Sequence, residues 1–309
     1  MKLDGIHHIT CITGDAPQNV RFYAGTLGLR LVKKSVNQDD PTVYHLFFAS
    51  DEGAAGSDIT FFEYPGAARG RHGAGMIYRI RWRVASEESL DFWAGRLASL
   101  DVETKRGDGT LLFHDPEGLE LEFAVVETDN EPLRASHPEI PEEHALLGFD
   151  GVRTYTDDPD RSAGFLRDTM GFTPESEGSW ISRGDSRQSF YTYDPAPAQR
   201  GLSGAGTVHH VAWSSPMDDH KAWRERVVAG GADVTPIIDR YWFRSIYFRE
   251  PSGVLFEIAT LGPGFTVDEP LETLGQALVL PPDYEHLREK LEPVLTPLPD
   301  PRAEAMARQ

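Results

Sequence analysis

Two stretches of the chain put adjacent histidines inside short apolar runs: Gly5-Ile6-His7-His8-Ile9-Thr10, and Thr207-Val208-His209-His210-Val211-Ala212-Trp213, displaced by 202 residues. A third apolar run, Gly253-Val254-Leu255-Phe256-Glu257-Ile258-Ala259, is broken by one carboxylate. Two imidazoles and one carboxylate that leave neighbouring coordination positions open form the facial triad of non-haem Fe(II) oxygenases. Successive side chains of a strand face opposite ways. His8 therefore shares a face with Thr10, while His7 goes with Ile9 and Cys11; His210 goes with Ala212, and Glu257 with Leu255. One histidine of each pair points inward. Alternation alone leaves open which one.

The elements that carry these residues recur. Phe22-Tyr23-Ala24-Gly25-Thr26-Leu27-Gly28-Leu29 is echoed by Phe165-Leu166-Arg167-Asp168-Thr169-Met170-Gly171-Phe172, and Asp115-Pro116-Glu117-Gly118 by Glu250-Pro251-Ser252-Gly253. The latter pair reads acid-Pro-x-Gly-x-x-x-Glu, a turn entering a strand. These echoes divide the chain into four units, each opening with a strand and a helix. The first starts at Gly5, with a helix capped by Asp15 and strands near Thr42–Phe48 and Ile59–Phe62. The second starts at Met76–Val84, with a helix capped by Ser86 and strands at Leu111–His114 and Leu119–Val126. The third starts near Phe149, with a helix after Asp158-Pro159. The fourth starts at Thr207, with a helix ended by Gly230-Gly231 and strands at Trp242–Phe248 and Val254–Ala259. The expected fold class is α+β: four tandem βαβββ modules forming two curved mixed-sheet half-barrels with helices outside. Modules one and two occupy 1–127, a Pro- and acid-rich linker 128–148, modules three and four 149–262, and a Pro-rich tail 263–309, with a short helix expected at Tyr284–Val294.

Composition narrows the partners. A formal net charge of −19 repels phosphate backbones and argues against nucleic acid. No apolar run approaches the roughly 20 residues that span a bilayer, so no membrane partner is expected. The lone cysteine, Cys11, excludes an intramolecular disulfide and a thiolate zinc cluster. With an apparent strand beginning near residue 5, a cytoplasmic protein is expected.

In their order along the chain these motifs resemble the vicinal oxygen chelate superfamily (glyoxalase, bleomycin resistance, extradiol dioxygenase), over roughly residues 3–262. More narrowly they resemble the hydroquinone-type ring-cleaving dioxygenases, in the strings Ile6-His7-His8-Ile9-Thr10 and Val208-His209-His210-Val211-Ala212-Trp213. The resemblance implies metal ligands at His8, His210 and Glu257, and Fe(II), or Mn(II), as the metal. It further implies catalytic groups at His7, Thr10, His209, Arg240 and Tyr247, with Arg240 neutralising developing anionic charge and Tyr247 hydrogen-bonding a substrate oxygen. The partners implied are a small dihydroxylated aromatic and O₂, and a homo-oligomer is expected. A site shared by His8 and His210 requires modules one and four to meet in one sheet, leaving two and three to form the other. Modules two and three offer Arg79 and Thr154 in place of the histidines, so one complete site is expected. Two rival readings remain: a glyoxalase-I-like isomerase, for which Glu63 would be a second ligating carboxylate, and a metal-free binding protein of the bleomycin-resistance kind. His45, His72, His114, His137, His144, His220 and His286 have no repeat partner and read as surface or structural.

Overall fold

A computed structural model describes residues 1–308. Module one supplies strands β1 (Ile6–Thr13), β2 (Arg30–Asn37), β3 (Asp40–Ala49) and β4 (Asp58–Glu63). Module two supplies β5 (Met76–Val84), β6 (Thr104–Gly107), β7 (Thr110–His114) and β8 (Glu120–Val125). Modules three and four follow with β9 (Phe149–Thr156), β10 (Thr173–Ser176), β11 (Ser179–Arg183), β12 (Gln188–Pro195), β13 (Thr207–Ser215), β14 (Ile238–Asp239), β15 (Phe243–Arg249) and β16 (Leu255–Pro263). The strands form two eight-stranded mixed sheets, ordered β14-β15-β16-β13-β1-β4-β3-β2 and β10-β11-β12-β9-β5-β8-β7-β6. The first and last modules therefore share one sheet, joined where β1 runs antiparallel to β13. The middle modules share the other, joined at β5 and β9.

Each echo in the sequence has a local cause. Asp15 caps the first helix, α1 (Ala16–Val20), by accepting from the Gln18 amide at 2.9 Å. The chain then widens into π-type turns, so that the Leu27 amide reaches the Phe22 carbonyl at 2.9 Å, and Met170 reaches Phe165 at 3.0 Å in module three. Those wide turns put Phe22 and Tyr23 together under the sheet, with Tyr23 against Phe61 and Phe48 at ring distances of 4.6 and 5.7 Å. At Gly28 the backbone turns left-handed (φ 74°), and a Cβ there would lie 2.3 Å from Ile140 Cδ1, so only glycine fits. Ser86 caps α2 (Glu87–Ser99) as expected, and α3 (His220–Ala229) ends at Gly230.

The acid-Pro-x-Gly turns are built around buried carboxylates. Asp115 accepts from the amides of Glu117 and Leu119 at 2.9 and 2.8 Å, and from the Tyr23 hydroxyl at 3.0 Å. Glu250 accepts from the amides of Ser252 and Val254 at 3.0 and 3.1 Å, from Tyr193 at 2.9 Å and from Ser162. One turn thus ties module one to module two, and the other ties module three to module four.

One expectation needs correction, and one strand was missed. The tail has a 3₁₀ turn at Pro282–Leu287 and a single α-turn at Arg288–Leu291 in place of one helix over 284–294. Pro281, Pro282 and Pro293 crowd that segment and cut the helix short. Strand β2 was not apparent because Lys33 and Lys34 stand in its middle. Lys33 is nevertheless fully buried, its ammonium held by Asp268 at 2.7 Å, by Glu269 and by the Phe265 carbonyl at 3.2 Å, all from the tail. Paired and hydrogen-bonded, a buried charge is tolerated.

Because Glu250 satisfies four buried donors, Glu250→Ala should cost about 3 kcal/mol or more in a urea melt.

Candidate metal centre

The join between β1 and β13 departs from regular pairing at two places, and both are histidines. Ile6 faces Trp213 and His8 faces Ala212, so β1 carries one extra residue, His7. Thr10 faces His210 and Cys11 faces Val208, so β13 carries one extra residue, His209. A β-bulge re-aims the side chain it inserts. Strict alternation would send His7 and His209 to the far face. The bulges instead bring each ring against its neighbour: His7 Nδ1 lies 2.9 Å from His8 Nδ1, and His209 Nδ1 lies 2.8 Å from His210 Nδ1.

Those contacts turn the Nε2 atoms of His8 and His210 inward, 3.4 Å apart. Strand β16 lies parallel to β13 with Glu257 level with Ala212, which brings the Glu257 Oε2 to 2.9 Å from His210 Nε2 and 3.2 Å from His8 Nε2. All three side chains are buried. Among the described residues this is the one group of three or more histidine, cysteine or acidic side chains gathered closely enough to hold a metal ion. Oε2 is buried without a hydrogen bond of acceptable geometry, although two nitrogens approach it. Its lone pairs and theirs face a common point. Three donors each about 2.1 Å from one cation at right angles stand roughly 3.0 Å apart, so the spacing fits an ion. The other carboxylate oxygen, Oε1, accepts from the Ser245 hydroxyl at 2.5 Å, which fixes its rotation.

The polarity of the cluster is set from outside. The Thr260 carbonyl can only accept, so His7 Nε2, 3.1 Å away, carries the proton. Burial and the charge of His8 lower the His7 imidazole to about 3, so it stays neutral and its Nδ1 is an acceptor. His8 must then donate from Nδ1, which leaves Nε2 bare for a metal. Burial alone would push the Glu257 carboxyl up, yet the two imidazoles hold it well below its usual range. His8 is raised by Glu257 against its burial, whereas burial prevails at His210 and lowers it.

The cluster opens on a narrow cavity of about 30 Å³. His8, Thr10, His210, Arg240 and Tyr247 line it, and Glu257 stands behind them. Arg240 is paired with Asp39 at 2.9 Å and donates to the Tyr247 hydroxyl at 3.3 Å, while the Tyr247 ring lies 5.6 Å from that of His210. Burial raises the Tyr247 phenol, so it is a neutral donor. Thr10 accepts from Thr60 at 2.8 Å, leaving its own proton free for the cavity. His7 and His209 do not line the cavity; they support the two inner imidazoles.

Sequence reasoning passed over His45, Asp39, Thr60, Ser245 and Asp58. His45, read from sequence as surface or structural, lines the cavity, with its ring 3.9 Å from Phe47 and 4.4 Å from Phe62. Requiring a repeat partner discarded it; strand alternation with Phe47 was the signal available. Glu63, the rival carboxylate, is not part of the cluster and accepts from the Ala16 amide at 3.2 Å. In the second sheet Glu122 pairs with Arg79 at 2.5 Å and Arg81 at 2.9 Å, so guanidinium groups satisfy the carboxylate there.

The family model described as Glyoxalase/Bleomycin resistance protein/Dioxygenase superfamily matches residues 5–123 and 148–258. A putative ring-cleaving dioxygenase of Bacillus subtilis, MhqO, is 40% identical over 305 residues, covering 96% of this chain and 97% of its own. The chlorohydroquinone/hydroquinone 1,2-dioxygenase of Sphingobium indicum is 32% identical, covering 94% and 95%. The crystal structure of a putative dioxygenase from Bacillus subtilis superposes with a TM-score of 0.90 at 38% identity, covering 96% of this chain and 98% of that one. No helix among the described residues is long and apolar enough to cross a membrane.

Two outcomes test this description. His7→Phe keeps the packing on Phe243 but removes the acceptor for His8 Nδ1–H, and should weaken Co(II) binding about 10–100-fold in an anaerobic titration. Asp58, beside His8 on β4, is buried with both carboxylate oxygens unpartnered. Burial pushes it from 3.8 up to about 7, against the opposing pull of His8. A carboxyl raised by folding stabilises at low pH, and that contribution is lost as pH climbs from about 4 to 7. Urea midpoints of the metal-free Asp58→Asn protein should therefore gain on wild type between pH 4 and pH 8.

Proposed function

The chain belongs to the Glyoxalase/Bleomycin resistance protein/Dioxygenase superfamily, and from that premise we propose that it is a ring-cleaving dioxygenase acting on a hydroquinone-like dihydroxylated aromatic. The observation that carries this reading is the convergence of His8 Nε2, His210 Nε2 and Glu257 Oε2 on one buried point at the wall of an aromatic-lined cavity. We assign the three as ligands of a divalent metal, Fe(II) before Mn(II). Iron bound there would couple the electrons of a phenolate ring to O₂, a reaction that spin forbids without a metal.

The remaining roles belong to the protein. Arg240, held by Asp39, places a guanidinium where anionic charge develops on ring opening. Tyr247, kept neutral by burial, donates to a substrate oxygen. Thr10, its lone pair occupied by Thr60, directs its proton towards the metal face. His209 sits at the exposed end of its pair, where it can exchange a proton between His210 and solvent. Phe243, 5.1 Å from His8, and Trp242 make a flat apolar wall suited to an aromatic ring. An isomerase built on a second carboxylate at Glu63 is disfavoured, since Glu63 is spent on α1.

Reconstituted anaerobically with Fe(II), the protein should consume one O₂ per hydroquinone on mixing with oxygenated buffer. His8→Ala and Glu257→Gln should each lower metal affinity at least about 100-fold and remove oxygen uptake with it. Iron bound through these residues without oxygen uptake on any diol would sink the proposal.

A further inference from the structure

His45 enters the cavity wall from β3, on the strand beyond β4, and is the one imidazole there outside the metal cluster. Its Nε2 lies 2.9 Å from Thr60 Oγ1, and Thr60 in turn donates to Thr10 Oγ1 at 2.8 Å. A hydroxyl that donates its only proton to Thr10 has lone pairs, and no second proton, to offer His45. The imidazole proton must therefore sit on Nε2, leaving Nδ1 as an acceptor. Among the described residues no group hydrogen-bonds His45 Nδ1. Phe47 and Phe62 hold the ring between them, so its orientation is fixed by packing as well as by Thr60.

We propose that His45 Nδ1 accepts a hydrogen bond from the second hydroxyl of a para-dihydroxylated ring whose first oxygen sits at the His8–His210–Glu257 centre. This rests on the function proposed above and deepens it, because it assigns the choice between para- and ortho-diols. The row His210–Thr10–Thr60 runs across the inner face of the sheet, and His45 lies on the next strand, diagonal to Thr60. Adjacent strands are about 4.8 Å apart, so His45, two strands from His8 and three from His210, stands apart from the metal donors rather than beside them. A para-diol carries its second hydroxyl on the far side of the ring, towards that acceptor. An ortho-diol presents both oxygens to the metal and has nothing for His45 to hold. The same tautomer logic makes His45 a poor partner for a substituent that can only accept, such as an ether oxygen.

The test is a ratio of affinities. Anaerobic Co(II)-loaded protein is titrated with hydroquinone, 4-methoxyphenol and phenol, following tryptophan fluorescence, and the Fe(II) protein is assayed in parallel for oxygen uptake. Wild type should bind hydroquinone about tenfold more tightly than phenol or 4-methoxyphenol, the worth of one hydrogen bond. His45→Phe, which fills the slot between Phe47 and Phe62, should bring that ratio close to one while leaving phenol affinity unchanged. His45→Asn, which restores an acceptor, should recover part of it. If His45→Phe keeps the tenfold preference, the assignment is overturned. Should that variant fail to fold, Thr60→Val decides instead: releasing Nε2 should lower the preference a few-fold, and an unaltered preference overturns the assignment. Failure of the Fe(II) protein to consume oxygen with any diol would instead refute the ring-cleavage reading and leave the binding ratio to report on His45 separately.

Discussion

The molecule depends on one antiparallel pairing, that of β1 with β13. It is the seam at which module one meets module four, and the strands that carry His8 and His210 touch nowhere else. Had the pairing been regular, each histidine doublet would have pointed one ring inward and one away, with the outward ring among the core groups Ile9, Val211 and Trp213. The two bulges break that rule in opposite strands, with three paired positions between them. Each lets a doublet act as a unit, one imidazole at the centre and the other bracing it from behind.

Hydrogen-bond polarity then propagates from fixed points. A main-chain carbonyl at Thr260 dictates a proton on His7, which dictates one on His8, which bares the inner nitrogen. Ser245 does the same for the carboxylate, by occupying one oxygen and turning the other inward. Along the opposite wall Thr60 orders Thr10 and His45. Buried polar groups are costly when only half satisfied. Here each chain is anchored at one end, and its free end faces the cavity.

Much of this was legible in the sequence, for identifiable reasons. The doubled histidines, the interrupted run around Glu257 and the acid-Pro-x-Gly turns are local patterns whose physical causes lie within a few residues. Glycine at 28 and the caps at Asp15 and Ser86 belong to the same class. What escaped depends on distant partners. Lys33 looks like a break in a strand until Asp268 and Glu269 arrive from the tail to neutralise it. His45 looks incidental until β4 brings Thr60 beside it. The bulges themselves left no mark, because an extra residue in one strand is defined only against the register of the other.

Joining the first module to the last has a consequence for synthesis. On the ribosome Glu257 follows His8 by some 250 residues. Modules two and three are contiguous, and their sheet can close on its own while module one waits for a neighbour. Such long-range pairing folds slowly. A nascent chain therefore cannot gather His8, His210 and Glu257 until its architecture is already complete.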